Sequence, residues 1–326
     1  MSEERAQRRM SRRGVLRAGG GLAAGAALAV GYGADRAAAA LPTSQRFVLS
    51  EPSYDLFRHK PLHNDTVQQS FCFDNVNRRL FVAQVRNSTA TEDGDLCVTE
   101  LDFSGNELGY MYLTGFGHGV SFAAQPVGGD TYLWTETDTN TEGRGVRLAR
   151  FRWSSGSTLD RTSSALAKHT PVSADAMTCA IDTVNNRMAI RYDATDGGFR
   201  MAVFEVADVA SGDYGNKLVD VALPTGLGTF QGYTLYGQYA YLLTGDAYSD
   251  DNPDGNSTVH SVDLNDGGRL VESFLTGAGS TLTHREPEGM ALYRTVAGET
   301  RLFLGFASGE TGDRRCNIFY KNALVD

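Results

Sequence analysis

The sequence predicts an all-β protein, specifically a five-bladed β-propeller with four-stranded antiparallel blades around a central channel. After residue 45 the 326-residue chain shows almost no helical periodicity, but it contains many short runs of β-branched and aromatic residues separated by Gly, Asn, Asp and Ser. A five-residue pattern also recurs five times. Each copy is followed by a turn, a second strand and a long polar loop, and a third strand closes most of the units. Five such units predict five blades.

The repeated pattern is polar, small, apolar, small, apolar. Its copies are Gln69–Phe73, His118–Phe122, Asp175–Cys179, Gln231–Leu235 and Glu288–Leu292. Their first residues lie 49, 57, 56 and 57 positions apart, a near-constant spacing typical of repeat architectures. The small positions are expected because the innermost strands of a propeller crowd around its axis. We expect Arg46–Leu49 to supply the outer strand of the last blade and so close the ring, because an open ring exposes unpaired strand edges.

The first forty residues predict a twin-arginine signal peptide. Arg12 and Arg13 precede an uncharged stretch rich in Ala and Gly, and Ala38 to Ala40 offer a cleavage site before Leu41. The alternative is a membrane anchor, but the uncharged stretch is short and weakly apolar for a span. We therefore expect a secreted, extracellular protein, exported by the twin-arginine translocation machinery and free of the membrane after cleavage. The chain then divides into the signal peptide, 1–40, and a single propeller domain, 41–326.

The charge balance excludes general binding to nucleic acid or to anionic lipid. The whole chain carries a formal charge of −9, and residues 41–326 carry 23 basic and 36 acidic residues, a net charge of −13. Any polyanion that the protein binds must therefore be met by local basic residues. The four cysteines, Cys72, Cys97, Cys179 and Cys316, show no metal-ligand spacing, and their state as free thiols or as disulfides is open at this point.

The first position of the repeated pattern is polar in every copy, but no single residue type occupies it in all five. The five side chains Gln69, His118, Asp175, Gln231 and Glu288 are expected to meet at one mouth of the channel, where the long loops also emerge. Polar groups that converge in a concavity predict a binding site. The alternative is that they only cap the channel and bond to one another through water.

Further candidates lie near the same mouth. His118 lies between glycines and is suited to act as a base, an acid or a metal ligand. Glu288 and Glu286 share one strand face beside Arg285, although a simple ion pair at the rim is the alternative for this group. The second strands end near the mouth and add possible saccharide-stacking and anion-binding side chains, among them Arg86, Trp134, Arg191 and Tyr192.

One loop resembles the first half of a calcium site. Asp250, Asn252 and Asp254 place oxygens at alternate positions before Gly255, but Ser261 stands where a bidentate Glu is needed. An exposed hairpin loop without metal is the favoured interpretation. The sequence contains no phosphate-binding glycine loop, no serine-hydrolase elbow and no zincin motif.

The repeats resemble the β-propeller shared by proteins named teichoic acid biosynthesis protein C and by receptor-binding proteins of staphylococcal phages. The matching segments are Gln68–Phe71, Gly117–Gly119, Tyr132–Glu136, Gln231–Gly232 and Glu286–Gly289. This resemblance implies a five-bladed propeller associated with anionic glycopolymers of the cell wall. It does not decide between catalysis and binding.

Two functions are compatible with these residues, and we expect the first, cleavage, with binding as the alternative. In the first, the protein cleaves an anionic polysaccharide such as hyaluronan. A lyase would use Gln69, Gln231 or Arg191 on the uronate carboxylate, His118 as the base, and Tyr192 or Tyr233 as the proton donor. A hydrolase would pair Glu288 with Asp175 or Glu286. In the second, the mouth binds wall teichoic acid or a related polymer without cleaving it.

Overall fold

A computed structural model describes residues 40–195 and 197–326. The predicted signal peptide therefore lies, except for Ala40, outside the described residues. Within those residues the chain is almost entirely β-structure, with one α-helix, α1 (Val206–Ser211), and one 3₁₀ turn, Thr91–Asp93. No helix of the described ranges is long and apolar enough to cross a membrane.

Twenty-three strands in the described residues form five four-stranded blades, one additional blade strand and one short accessory pair. Strands β1 (Arg46–Phe47) and β2 (Tyr54–Lys60) precede the first blade, which contains β3 (Gln68–Asp74), β4 (Arg79–Val85), β5 (Leu96–Leu101) and β6 (Glu107–Thr114). The second blade contains β7 (Ala123–Val127), β8 (Asp130–Thr139) and β9 (Gly145–Arg152), then, after β10 (Thr158–Asp160), its outer strand β11 (Ala167–His169).

The remaining three blades follow the same order from the axis outward. The third contains β12 (Ala176–Asp182), β13 (Arg187–Asp193), β14 (Phe199–Glu205) and β15 (Val219–Ala222). The fourth contains β16 (Phe230–Tyr236), β17 (Tyr239–Thr244), β18 (Thr258–Asp263) and β19 (Arg269–Leu275). The fifth contains β20 (Glu286–Arg294), β21 (Thr300–Ser308) and β22 (Arg315–Lys321), and β23 (Leu324–Val325) follows it. The predicted five-bladed β-propeller is confirmed.

The ring closes through the N-terminal part of the propeller, but the predicted segment was wrong. Strand β2 pairs with β22 and forms the outer strand of the fifth blade, whereas β1 pairs with β23 in a separate two-stranded sheet. Phe47 and Leu49 are instead buried between the fourth and fifth blades, where the Phe47 amide donates to the Tyr241 hydroxyl. The apolar residues that suggested a strand therefore serve as a plug between blades, and β2 is largely exposed.

The first blade carries an additional strand that the sequence did not predict. The segment that leaves the second blade after β9 returns to the first blade, where β10 pairs parallel to β6. The segment continues beside the last residue of β6, since the Arg161 amide donates to the Thr114 carbonyl. The first two blades are thus tied together along their outer edges.

Two matching turns connect neighbouring blades on the face opposite the mouth. Asp74 and Asp182 each accept two amide hydrogen bonds within their own turn. Each also reaches the next blade, Asp74 by accepting from the Thr131 hydroxyl and Asp182 by accepting from the Gly237 amide. This near-identical sequence thus has the same inter-blade role twice, with local side-chain bonds stabilising the turn.

Five apolar clusters, one in each gap between adjacent blades, form the core. The four cysteines are buried free thiols in this core, which settles the alternative left open by the sequence. Burial raises the pKa of the Cys97 thiol to about 12, so it stays protonated and unreactive at neutral pH.

Candidate functional site

The inner strands close the axis almost completely. A side-chain carbon on Gly232 would lie 2.7 Å from Cα of Gly289, and one on Gly289 would lie 2.6 Å from Cα of Ser70. Both glycines also have positive φ angles, 145° and 82°, which other residues rarely adopt. The apolar channel beyond them has a free volume of about 10 Å³, roughly the space of one water. The axis therefore forms a floor beneath the mouth and offers no tunnel for a ligand.

Three predicted mouth residues, Gln69, Gln231 and Glu288, lie at β-bulges. The pairing register shifts at each of these positions in β3, β16 and β20. A bulge changes the direction of a side chain and often lies beside a functional site. The three are brought close together, because the glycines that follow Gln231 and Glu288 pack against each other and against the first blade.

His118 and Asp175 do not open inner strands, contrary to the sequence-based expectation. His118 lies in a loop that ends before β7 begins at Ala123, and Asp175 is exposed just before β12. In the second blade the cause is Glu136, whose carboxylate accepts the Gly119 amide at 2.8 Å. That amide bonds to a side chain, so the inner strand begins later.

The two acidic residues of β20, Glu286 and Glu288, lie in different environments. Glu288 is 4% exposed, and burial, with a contribution from Glu286, raises the pKa of its carboxyl well above the ordinary value. Burial therefore favours the neutral form of this carboxyl. Glu286 pairs with His284, at 2.8 Å from Nε2, and does not pair with Arg285. The proposed rim ion pair of Arg285 and Glu286 is thus corrected.

A pocket of about 560 Å³ opens on the mouth face, away from the axis and between the second, third and fourth blades. Glu136 and Arg144 of the second blade line one side, and the loop 223–229 lines the other. Arg191 and Asp193, at the end of β13, lie between them. The volume is that of a typical small-molecule site. This pocket, and not the axis, is the candidate site.

Arg191 is the central feature of the pocket. Its guanidinium carbon lies 3.7 Å from the ring centroid of Phe199 and 3.7 Å from that of Phe230, so two aromatic rings sandwich the cation. Burial lowers the pKa of Arg191 to about 10, which leaves it charged at neutral pH. Among the residues that the structure describes, no carboxylate is in direct ion-pair contact with this guanidinium, although Asp193 lies in the same pocket and favours its charged form. Its N–H donors therefore remain available to an anionic ligand.

Glu136 ties together the two loops beside Arg191. Its carboxylate accepts the amides of Gly119 at 2.8 Å and Gly145 at 2.6 Å, and these glycines flank His118 and Arg144. Burial raises the pKa of Glu136 to about 7, although the amide bonds act against that rise. Burial, with a smaller contribution from Arg144, lowers the pKa of His118 to about 4. His118 is thus neutral at pH 7, and it lies next to Glu136 and Arg144, which line the pocket.

Three predicted aromatic candidates are directed into the blades and away from the mouth. The Tyr233 hydroxyl is buried and donates to backbone carbonyls of the third blade, and burial raises its pKa strongly. The Tyr192 hydroxyl donates to Asp220 at 2.8 Å. Trp134 is fully buried and donates to Gln125. The strand positions were correct, but these side chains face the gaps between blades, so neither tyrosine is placed to protonate a ligand in the pocket.

Three further predicted residues, Arg285, Arg86 and Gln231, already have protein partners. Arg285 is 2% exposed and donates to the carbonyls of Ala278 and Thr276 and to the Ser257 hydroxyl. Arg86 stacks on Tyr112, at 4.2 Å from the ring centroid. The Gln231 amide donates to the Gly245 carbonyl at 2.9 Å. These contacts hold the surrounding loops in place.

The proposed calcium loop is an exposed loop of the fourth blade. The Asn252 amide nitrogen donates to the carbonyls of Asp246 and Ala247, so this side chain points its donor group into the loop. Asp250 and Asp254 face solvent. Across the described ranges no cluster of three His, Cys, Asp or Glu side chains is arranged to hold a metal ion.

Sequence reasoning missed Arg144, Phe199 and Phe230. Phe230 directly precedes the fourth copy of the repeated pattern, and Phe199 begins the third strand of its blade. Aromatic residues at strand ends near the mouth were the signal that selected Trp134 and Tyr192. The same signal applies to both phenylalanines, but the sequence does not say which strand face meets the pocket.

Comparison with known proteins places this architecture in a family. The family model described as the phage 5-bladed beta propeller receptor binding platform domain matches residues 67–320. The chain is 29% identical over 275 residues to the Bacillus subtilis protein named major teichoic acid biosynthesis protein C, which covers 81% of this chain and 61% of that protein. The chain therefore spans about three fifths of that relative's length.

A solved structure shows the same fold. The tail fibre of Staphylococcus aureus phage P68 superposes with a TM-score of 0.68 at 18% identity, covering 83% of this chain and 52% of that chain. An exo-β-1,3-galactanase from Clostridium thermocellum superposes with a TM-score of 0.45 at 12% identity, covering 79% of this chain and 60% of that one. The second likeness is too distant to carry an argument about function.

Proposed function

The chain belongs to the phage five-bladed β-propeller receptor-binding platform family, and on that premise we propose that it binds an anionic cell-wall glycopolymer of the teichoic acid type in the pocket around Arg191. The observation that carries this proposal is the Arg191 guanidinium, held between two phenylalanine rings and, among the described residues, in direct ion-pair contact with no carboxylate, although Asp193 lies in the same pocket. An unpaired, orientated cation in a pocket is a site for phosphate or carboxylate.

The pocket combines the two contacts that a glycopolymer needs. The planar guanidinium donates in a bidentate manner to a phosphate or carboxylate, which Lys does less well. The exposed parts of Phe199, 45% exposed, and of Phe230 offer apolar surface to the carbon-bound hydrogens of a sugar or polyol. Arg144 on the opposite wall adds a second positive charge. The names of the relatives, which mention teichoic acid and a phage tail fibre, support the same class of ligand.

The cellular location is part of the proposal. A twin-arginine signal in residues 1–40 would deliver the folded propeller outside the membrane, where wall polymers lie. The net charge of −9 disfavours unspecific adhesion to polyanions, so recognition has to come from a local cationic site.

Isothermal titration of the purified protein with teichoic acid and with hyaluronan tests this function. We expect binding of teichoic acid, and we expect Arg191→Gln to weaken it roughly 30-fold, about 2 kcal/mol, as for a central anchoring residue. The control is Arg269→Gln, an exposed arginine paired with Asp266 on the opposite face. Absence of binding, or equal affinities for the two variants, would contradict the proposal.

A second candidate function is cleavage of the bound polymer, favoured by the neutral imidazole of His118 beside the pocket. In a β-elimination His118 would take the proton next to a uronate carboxylate, Arg191 would neutralise that carboxylate, and the bond to the leaving oxygen would break as solvent protonates it. A hydrolysis, in which water adds to the sugar carbon as the glycosidic oxygen leaves with a proton, would use Glu288 as the acid only on a part of the polymer that reaches the axis, because Glu288 does not line the pocket. New absorbance in the near ultraviolet indicates the first reaction, and new reducing ends without it indicate the second. Loss of either signal in His118→Ala or Glu288→Gln, with unchanged melting temperature, would assign the residue.

A further inference from the structure

Charge is unevenly distributed over the mouth face. The second blade and the segment that follows β9 carry four basic side chains, Arg144, Arg147, Arg161 and Lys168, of which Arg144 lines the pocket and Arg144 and Arg161 are exposed. The fourth blade presents the opposite sign, because its loop carries four exposed or solvent-facing aspartates and no basic residue between positions 246 and 256. These are Asp246, Asp250, Asp251 and Asp254. In a chain of net charge −9, the basic side is a local exception.

From this distribution we propose that a polyanion bound in the pocket extends across the mouth end of the second blade, over a track formed by Arg144, Arg147, Arg161 and Lys168. The inference rests on the proposed function, because Arg191 holds the first anionic group. It adds the direction in which the bound polymer leaves the pocket, and it requires a ligand with several charged repeat units. A polymer that left the pocket over the fourth blade would instead meet aspartates.

The track begins in the pocket and continues along one hairpin. Arg144 lines the pocket and lies close enough to Arg191 and His118 to influence the pKa of both. Arg147 follows three residues later at the start of β9 and donates to the Thr170 hydroxyl. Successive cations on one short hairpin match a polymer whose charges repeat along its length.

Two acidic residues lie beside the track and reduce its charge: Glu142, which is exposed and lines the pocket next to Arg144, and Asp138. Asp138 pairs with Lys168 at 2.5 Å and with Arg147 at 3.6 Å, and all three side chains are partly exposed. Asp138 has φ 59°, a conformation that Asn adopts about as readily as Asp. Asp138→Asn therefore removes a negative charge without straining the backbone.

Arg161 flanks the loop that leads to His118. A side-chain carbon on Gly115 would lie 2.8 Å from Cδ of Arg161, so the arginine stem packs directly on this loop. The loop is fixed in turn by the Glu136 carboxylate. Arg161 thus extends the positive surface toward the first blade.

Binding as a function of chain length tests the track. The measurement uses the purified protein and teichoic acid chains of about three and about thirty repeat units, at several salt concentrations. We expect the double variant Arg147→Gln, Lys168→Gln to weaken binding of the long chain about tenfold, while the affinity for the short chain stays the same. The slope of the logarithm of the binding constant against the logarithm of the salt concentration should fall in magnitude by about 1 to 2. Asp138→Asn is expected to act in the opposite sense and to strengthen binding of the long chain several-fold.

The matched control is Arg152→Gln, which removes an arginine from the far end of the same strand, where it pairs with Asp130. It should leave both affinities unchanged. If the short chain binds through Arg191 while the affinity for the long chain does not depend on Arg147 and Lys168, the proposed track is wrong, and the proposed function of the pocket is unaffected. If the short chain does not bind at all, the proposed function itself is wrong.

Discussion

Arg191 and Arg285 stand at comparable places on the mouth face, yet the structure uses them in opposite ways. Arg285 of the fifth blade is buried, and three protein acceptors take its hydrogen bonds. Arg191 of the third blade is stacked between Phe199 and Phe230, and its guanidinium is in direct ion-pair contact with no carboxylate among the described residues. Both side chains contact aromatic rings, so aromatic contact alone does not separate them.

The difference shows what distinguishes a structural arginine from a binding one. A buried cation whose donors bond to backbone carbonyls fixes the loop that supplies those carbonyls. A cation that is orientated by stacking alone keeps its hydrogen-bonding capacity for a ligand. The mouth therefore has two halves. Around the fifth blade the arginine donors bond to protein acceptors, and around the third blade they remain available to a ligand.

The largest expected effect is on stability and concerns the two arginines directly. Arg285→Met should lower the free energy of unfolding by about 4 kcal/mol, because two carbonyls and one hydroxyl lose a charged donor inside the protein. Arg191→Met should change it by less than about 1 kcal/mol, since it breaks no such bonds. Urea denaturation of the matched pair measures both values. Equal losses for the two variants would remove the distinction between the two halves.

The next effect is a pH dependence of stability from Glu136. Its carboxyl pKa is about 7 in the folded protein against an ordinary value of 4.5, so the unfolded chain releases this proton first. Stability from this group is therefore present below pH 4.5 and is lost as the pH rises to 7, by about 3 kcal/mol at most.

The variant Glu136→Gln isolates that contribution. The difference in unfolding free energy between Glu136→Gln and the unaltered protein should grow in favour of the variant as the pH rises from 4 to 8, by about 3 kcal/mol at most. Urea denaturation at a series of pH values measures it, and other titrating groups cancel in the difference. A difference that stays constant with pH would show that Glu136 is ionised at an ordinary pKa.

A smaller effect is expected from the stacking rings. Phe199→Ala removes one face of the sandwich and should weaken teichoic acid binding about fivefold, about 1 kcal/mol, because Arg191 is then less well orientated. Titration calorimetry measures the change. Leu275→Ala, which alters an exposed apolar side chain on a different blade, the fourth, is the control and should have no effect.

The smallest effect concerns calcium. Addition of millimolar calcium or of a chelator should shift the melting temperature by less than about 1 °C, because ion binding to the folded state is what would raise it. Asn252 bonds to its own loop, and no metal cluster was found in the described ranges. A clear stabilisation by calcium that Asp250→Asn abolishes would overturn this expectation.

Much of the fold was accessible from the sequence because its cause is local. The alternation of polar, small and apolar residues reflects the crowding of inner strands, which the contact of Gly232 with Gly289 confirms. The outer strand β2 was not predicted, because an edge strand that is mostly exposed carries no apolar alternation. Phe47 and Leu49 gave a stronger strand-like signal while filling a gap between blades.

The site was only partly accessible. Arg191 was selected for its place at a strand end, and the structure puts it at the centre of the pocket. Tyr192, its neighbour, was selected by the same argument but faces the other side of β13 and bonds to Asp220. Which of two adjacent residues faces a pocket depends on register between blades, and the position of the pocket away from the axis depends on the loop 223–229. Neither is encoded in the repeat.

The most direct test of the account is a crystal structure of the protein with a short teichoic acid oligomer. We predict that a phosphate group is bound to the Arg191 guanidinium, with the polyol against Phe199 and Phe230 and the next unit toward Arg144. An oligomer bound over the axis beside Gln69, Gln231 and Glu288, with Arg191 unoccupied, would contradict it.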